Sequence, residues 1–362
     1  MFDHKHYVPI LTGKLGEYLS LSVLTPDVKL AMTPLIEVPP IAWDYEGDTP
    51  SKTIDQQLSR TADNLYNNWG TDQRFFIDLF TVANEDPMAD GRHPLAFVFD
   101  EARSRGLLAV PVTGIKRDAD YQSAVQQAVG IDDRGICIRL VASDISIRQW
   151  PDDLTEFVAS ISLGQDDIDL ILDLGPMMPG QQTTYGFVAQ AFLSRLPNPA
   201  AWRSLTLAGS AFPEDASGFS QNAVGATPRT EWEVWTALSQ DRGNLSRLPT
   251  FGDYAIDHPE YRDMDFRVIK RTAQLRYTAE SEWLIVRGAV VQSGAASQYP
   301  SLALALSRLP QYSGPGFSWG DRYIQDCANG VARAGNATKW RQVGTNHHLT
   351  FVVRQIANYP GL

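Results

Sequence analysis

The chain has 362 residues, 43% hydrophobic and 10% aromatic, enough for one large packed core or two average domains and too apolar for disorder to be expected. Its formal net charge is -11, and without a basic run to track phosphates it is disfavoured as a non-specific nucleic-acid binder. No apolar stretch approaches the roughly 18 residues of a membrane span. The start, Met1-Phe2-Asp3-His4-Lys5-His6, lacks a signal-peptide core, and Cys137 and Cys327 lie far apart in apolar segments. A cytoplasmic protein with two buried free thiols, and without membrane contact, is therefore expected.

In chain order, short apolar runs rich in β-branched residues mark strands at Tyr7-Leu11, Thr33-Val38, Arg74-Leu79, Leu107-Thr113, Gly135-Val141, Asp169-Leu174, Ser204-Ala208 and Thr250-Ala255. Most are continuously apolar, as parallel strands covered by helices must be. Between them, Ile54-Trp69, Pro94-Arg105, Asp120-Val129, Leu154-Ile161, Tyr185-Leu196 and Thr230-Leu238 read as helices. Proline at the first turn and Gly106 past the end frame the second of these. Eight strands alternating with helices predict a (β/α)8 barrel, with a doubly wound open sheet as the alternative. No Gly-x-Gly-x-x-Gly follows the first strand, and the Gly13-Lys14-Leu15-Gly16-Glu17 stretch lacks the spacing of a phosphate loop.

The pattern changes after the eighth strand. Gln274-Thr278 and Glu282-Arg287 read as an antiparallel hairpin, followed by helices at Ser301-Leu309 and Arg322-Ala334. A last helix over Leu349-Asn358 returns to the barrel. Residues 1-257 plus 348-362 are thus predicted to form the barrel. Residues 258-347 form an insertion in the last β-to-α loop, above the barrel mouth, where loops carry function. Tyr277, Trp283, Tyr312, Phe317, Trp319, Tyr323 and Trp340 form either a small core holding the insertion down or a recognition surface.

Residues at strand exits converge on one mouth in such a barrel. Here they are Glu37, Asp78, Thr113, Arg139, Asp173, Ser210 and Asp253. Glu37, Asp78 and Asp173 supply oxygen ligands for Mg²⁺ or another divalent cation. Arg139, with Lys14, Ser210 and Arg276, offers a site for a phosphate or carboxylate, and Asp253 or His347 is the candidate general base. As packing residues, the same acids would pair with Arg139, Lys14 and Arg276. His347-His348 is expected at a helix start capped by Thr345 or Asn346, with one ring facing a pocket; His4 and His6 read as surface.

Tyr7-Val8-Pro9-Ile10-Leu11 followed by Gly13-Lys14-x-Gly16-Glu17, the Thr33-Pro34-Leu35-Ile36-Glu37-Val38-Pro39-Pro40 run, Phe76-Ile77-Asp78-Leu79, and Trp340-Arg341-x-Val343-Gly344-Thr345-Asn346-His347-His348 resemble the Beta protein family nearly end to end. The resemblance implies a phage, phage-satellite or mobile-island protein beside a toxic partner encoded by a neighbouring gene; it carries over no catalytic residue. The expected function is an anti-phage defence or toxin-neutralising accessory protein. It would bind a partner protein or small ligand through the mouth and insertion. The alternatives are a metal-dependent hydrolase or phosphodiesterase acting on a small phosphorylated or nucleotide-like substrate, and a structural scaffold. No Gly-x-Ser-x-Gly or His-Glu-x-x-His motif marks an enzyme class.

Overall fold

The structure, a computed structural model, describes residues 2–82, 88–161, 163–261, 272–290 and 295–360. Eight strands close into a barrel: β1 (Tyr7–Leu11), β2 (Leu35–Glu37), β3 (Arg74–Asp78), β4 (Leu108–Thr113), β5 (Ile136–Val141), β6 (Ile168–Pro176), β7 (Ser204–Ser210) and β8 (Thr250–Asp253). All neighbours are parallel, and β1 closes the ring by pairing with β8 (Tyr7 with Phe251) and β2 (Ile10 with Leu35). The closed barrel is the fold, and the doubly wound alternative falls away.

Successive strand residues point to opposite faces, so the strands split their side chains between two cores. Val8, Ile10, Leu35, Phe76, Val110, Val112, Cys137, Ile171, Ala208 and Tyr254 fill the barrel interior. Their neighbours Tyr7, Leu11, Ile36, Phe75, Ile77, Ile138, Leu140, Leu170, Leu172 and Phe251 face the helices. Both faces are buried, which is why the strands read as unbroken apolar runs. The helices supply the outer layer with ordinary amphipathic chemistry. Ile54–Asn68 starts on a Thr53–Gln56 capping box. Thr230–Gln240 buries Thr230, Glu231, Trp232 and Trp235, with Trp235 Nε1 donating to Pro249 O at 2.8 Å.

The side module is more composite than a single insertion. Thr272–Thr278 and Glu282–Val290 do pair antiparallel. Their outer neighbour, Ala223–Pro228, comes from the loop after β7, so two barrel loops build one sheet. Residues 262–271 and 291–294 of the expected insertion lie outside the described residues. Helices Tyr299–Ser307 and Trp319–Ala328 cover the sheet around Leu275, Tyr277, Leu302, Ile324 and Trp340. Tyr312, Trp319 and Tyr323 pack at its edge. These aromatics form the small core of the module. The last helix runs unbroken from Ala337 to Ala357, capped by Asn336 rather than by Thr345 or Asn346. Its first turns pack on the module and its later turns (Leu349, Val352, Ile356) on the barrel. The expected boundary at 347/348 therefore falls inside a helix.

Candidate functional site

Strand parity decides which exit residues meet. Glu37, Asp78, Arg139 and Asp173 share the inward parity of Leu35, Phe76, Cys137 and Ile171. Glu37 is level with Asp78 across β2 and β3. Arg139 is level with Ile171, two residues below Asp173, so its long side chain rises into the plane of the three carboxylates. There Nη1 donates to Glu37 Oε2 (2.6 Å) and Asp78 Oδ2 (2.8 Å), Nε to Asp173 Oδ2 (2.9 Å) and Nη2 to Tyr254 Oη (2.7 Å). Tyr254 donates to Asp173 Oδ2 at 2.5 Å, and Arg117 reaches the other oxygen of Asp78 at 2.8 Å.

All members of the ring are buried except Arg117, whose side chain is 13% exposed. Burial opposes the charge of Arg139, but Tyr254, Glu37, Asp173 and Asp78 raise its pKa well above the ordinary arginine value. Three acids face two guanidiniums, and the strain of that imbalance falls on Glu37, whose charged form is disfavoured. Burial pushes its carboxyl above the usual range, Arg139 pulls it back, and Asp78 and Asp173 push it up again. The place expected for a divalent cation is occupied by the guanidinium itself. Among the described residues no group of three or more His, Cys, Asp or Glu side chains is placed to hold a metal ion. The residues present do not fit a resident cation.

The other expected site residues lie elsewhere. Asp253 has the outward parity of Phe251, so it faces the last helix instead of the mouth. Tyr7 donates to its Oδ1 at 2.5 Å, and His348 Nε2 stands 3.1 Å from its Oδ2. Thr278 Oγ1 closes the set 2.8 Å from His348 Nδ1. His347 sits in mid-helix, its Nδ1 2.9 Å from Asp321 Oδ2 and its Nε2 2.8 Å from Thr278 O, stacked on Tyr277. Adjacent helical residues point about 100° apart, so one histidine grips the barrel and the other the module. Both are fully buried. Neither that burial nor their satisfied nitrogens suits a general base that must reach substrate. Burial lowers the pKa of His348, though Asp253 opposes this. Thr113 also faces outward, toward Gln122 (2.9 Å). His6, expected at the surface, is half-buried; it bonds Thr33 Oγ1 at 2.9 Å and stacks on Phe2.

Lys14, Ser210 and Arg276 come together at a second place on the mouth, around Asp257, which follows β8. Lys14 Nζ lies 2.5 Å, Arg341 Nη1 2.7 Å and Arg276 Nη1 3.1 Å from its carboxylate. Ser210 Oγ donates to the Asp257 carbonyl at 3.5 Å and accepts from Phe212 N at 3.0 Å. Asp257, Arg341 and Tyr254 were missed by sequence reasoning. Parity with Gly252 would have revealed Tyr254; nothing local marks Asp257, four residues beyond the strand end.

Fold and site together define a (β/α)8 barrel whose mouth is plugged by an arginine–carboxylate network and flanked by an antiparallel side module. The chain belongs to the Beta protein family, whose model matches residues 7–354. Comparison with curated proteins gives no match. Among the described residues no helix is long and apolar enough to cross a membrane.

Proposed function

We propose that this phage-associated protein works by binding rather than by turnover. In this reading it is a defence or toxin-neutralising accessory protein that engages a protein partner, the product of a neighbouring gene, through the rim of the mouth and the side module. The observation that carries the reading is the saturation of Arg139. An arginine that recognises a substrate anion needs unspent donors, and here the Nε, Nη1 and Nη2 groups of Arg139 are all engaged by Glu37, Asp78, Asp173 and Tyr254. The rim around the plug carries exposed apolar residues: Phe80 after β3 is 49% exposed and Met178 after β6 is 61% exposed. Aromatic residues and methionine are the types enriched in protein interfaces. The net charge of -11 favours a basic partner by electrostatic steering.

The test is co-purification and calorimetry with the neighbouring gene product. Phe80→Asp and Met178→Asp should each weaken binding by about 2 kcal/mol or more, as expected of interface anchors, without loss of fold. Saturable hydrolysis of bis(p-nitrophenyl) phosphate that needs Mg²⁺ or Mn²⁺ and disappears in Glu37→Gln would instead establish the hydrolase and overturn the binding reading.

A further inference from the structure

The geometry points to an anion site at the corner where Lys14, Arg276 and Arg341 converge, suited to a phosphate group on a small molecule. This inference is independent of the partner-binding reading and concerns different residues from the Arg139 plug.

Two glycine-bearing segments of the sequence build the corner. Gly13 adopts φ +63, and a Cβ there would fall 2.9 Å from Pro39 Cδ, so only glycine makes the turn that presents Lys14. Gly16 lies against the last helix, where a Cβ would meet Thr338 O at 2.7 Å and Arg341 Cβ at 2.8 Å. That close approach sets Arg341 beside Lys14. Gly344 does the same on the module side, where a Cβ would lie 2.8 Å from Arg276 O. Backbone approach in three directions thus brings together cations from the β1 exit, the side sheet and the last helix.

The charges do not balance. Three cations surround Asp257, and the nearest second anion is Glu17, 3.6 Å from Arg341 Nη1. Burial raises the pKa of Glu17; Arg341 pulls it down and Asp257 pushes it up. Asp257 shows the opposite. Burial would raise its pKa, yet Arg341, Lys14 and Arg276 hold it far below the usual carboxylate range. Two carboxylates therefore face three cations, so the corner keeps an excess of positive charge even with both acids ionised. The excess is open to solvent: the side chains of Lys14, Arg341 and Arg276 are 36%, 22% and 18% exposed. The Thr12 hydroxyl, 3.3 Å from Asp257 Oδ2, adds a polar group to the floor. Two guanidiniums and an ammonium at a barrel mouth match the tetrahedral oxygens of a phosphate, which arginine engages in pairs and lysine as a point charge. Asp257 serves as a placeholder that keeps the cations together when no ligand is bound.

The experiment is calorimetric titration of the full chain with inorganic phosphate at low ionic strength, with sodium chloride at matched ionic strength as reference. Saturable phosphate binding that chloride does not reproduce is expected. Lys14→Gln should weaken it about tenfold or more, the loss of one charged hydrogen bond. Arg308→Gln, an exposed cation on the module, should leave it unchanged. Asp257→Asn provides the arm that a purely structural role cannot mimic. The variant should be destabilised without phosphate, and phosphate should raise its melting temperature more than it raises that of the parent protein. The inference is overturned if phosphate and chloride act alike, if Lys14→Gln binds as the parent does, or if Asp257→Asn gains no more from phosphate than the parent.

Discussion

Replacing Arg139 by Met tests the plug directly. The substitution keeps much of the side-chain volume and removes the one group touching Glu37, Asp78, Asp173 and Tyr254 at once. Three buried carboxylates would remain, with Arg117 the remaining guanidinium, bonded to Asp78. Removing one partner of a buried ion pair costs about 3–5 kcal/mol, because the surviving charge is left uncompensated. An unfolding entropy of about 2.1 cal/mol/K per residue, taken over 362 residues, gives roughly 0.8 kcal/mol/K, so the melting temperature should fall about 4–7 °C. Without the guanidinium the Glu37 carboxyl, already raised by burial, loses the charge that pulls it back, so the folded state binds that proton more tightly, and Arg139→Met should recover stability as pH falls toward 4. Mg²⁺ should stabilise the variant, whose acids now have room for a cation, and leave the parent unaffected. Calorimetric scans across pH, with and without Mg²⁺, read all three effects. If Arg139→Met lies within about 1 kcal/mol of the parent and shows no recovery in acid, the plug is not what holds the mouth, and the argument for a spent site fails with it.

A second prediction concerns two groups, half-buried His6 and buried Glu231, that titrate in opposition. Burial lowers the His6 pKa from 6.5 to about 4, so the unfolded chain takes up that proton first, and stability is lost as pH falls from 6.5 toward 4. Burial raises Glu231 from 4.5 to about 7, so the folded state takes up that proton first, and stability is gained as pH falls from 7 toward 4.5. Each is worth up to about 3 kcal/mol at 1.36 kcal/mol per pKa unit, and the two nearly cancel. In urea unfolding at several pH values, His6→Gln should gain stability on acidification relative to the parent and Glu231→Gln should lose it; identical slopes in all three proteins would refute the assignment. A third prediction addresses the clasp. His347→Phe keeps the stack on Tyr277 but leaves Asp321 with Ser318 and Tyr277 alone, and should cost about 1.5–3 kcal/mol, the loss of a buried hydrogen bond to a carboxylate. Hydrogen exchange should quicken in Thr272–Thr278 and stay unchanged in β1 to β7, whereas uniform quickening would show that module and barrel do not respond separately.

Much of the fold was legible because its signals are local. Buried parallel strands must be apolar on both faces, and covering helices must be amphipathic, so eight runs and their helices, and with them a closed barrel, could be read in order. The last helix was misjudged at its start because Asn336 caps it, and Thr345-Asn346-His347-His348, polar residues that suggest a helix end, are buried by partners from the barrel and the module. The strand from Ala223–Pro228 was missed because its partner is the hairpin strand Glu282–Val290, more than 50 residues on.

Composition and strand periodicity alone placed Glu37, Asp78, Arg139 and Asp173 at strand exits of one barrel, together with Thr113 and Asp253, whose opposite parity turns them outward. Only the tertiary structure decided what their convergence amounts to. Charge compensation depends on distances of a few ångströms between residues as far apart in the chain as Glu37 and Arg139, 2.6 Å from atom to atom, or Lys14 and Arg341, which share one oxygen of Asp257. The same residue types spell a metal site, a plug or an anion corner according to which side chain reaches the centre first, and that is set by strand register and by the glycines that let backbones approach.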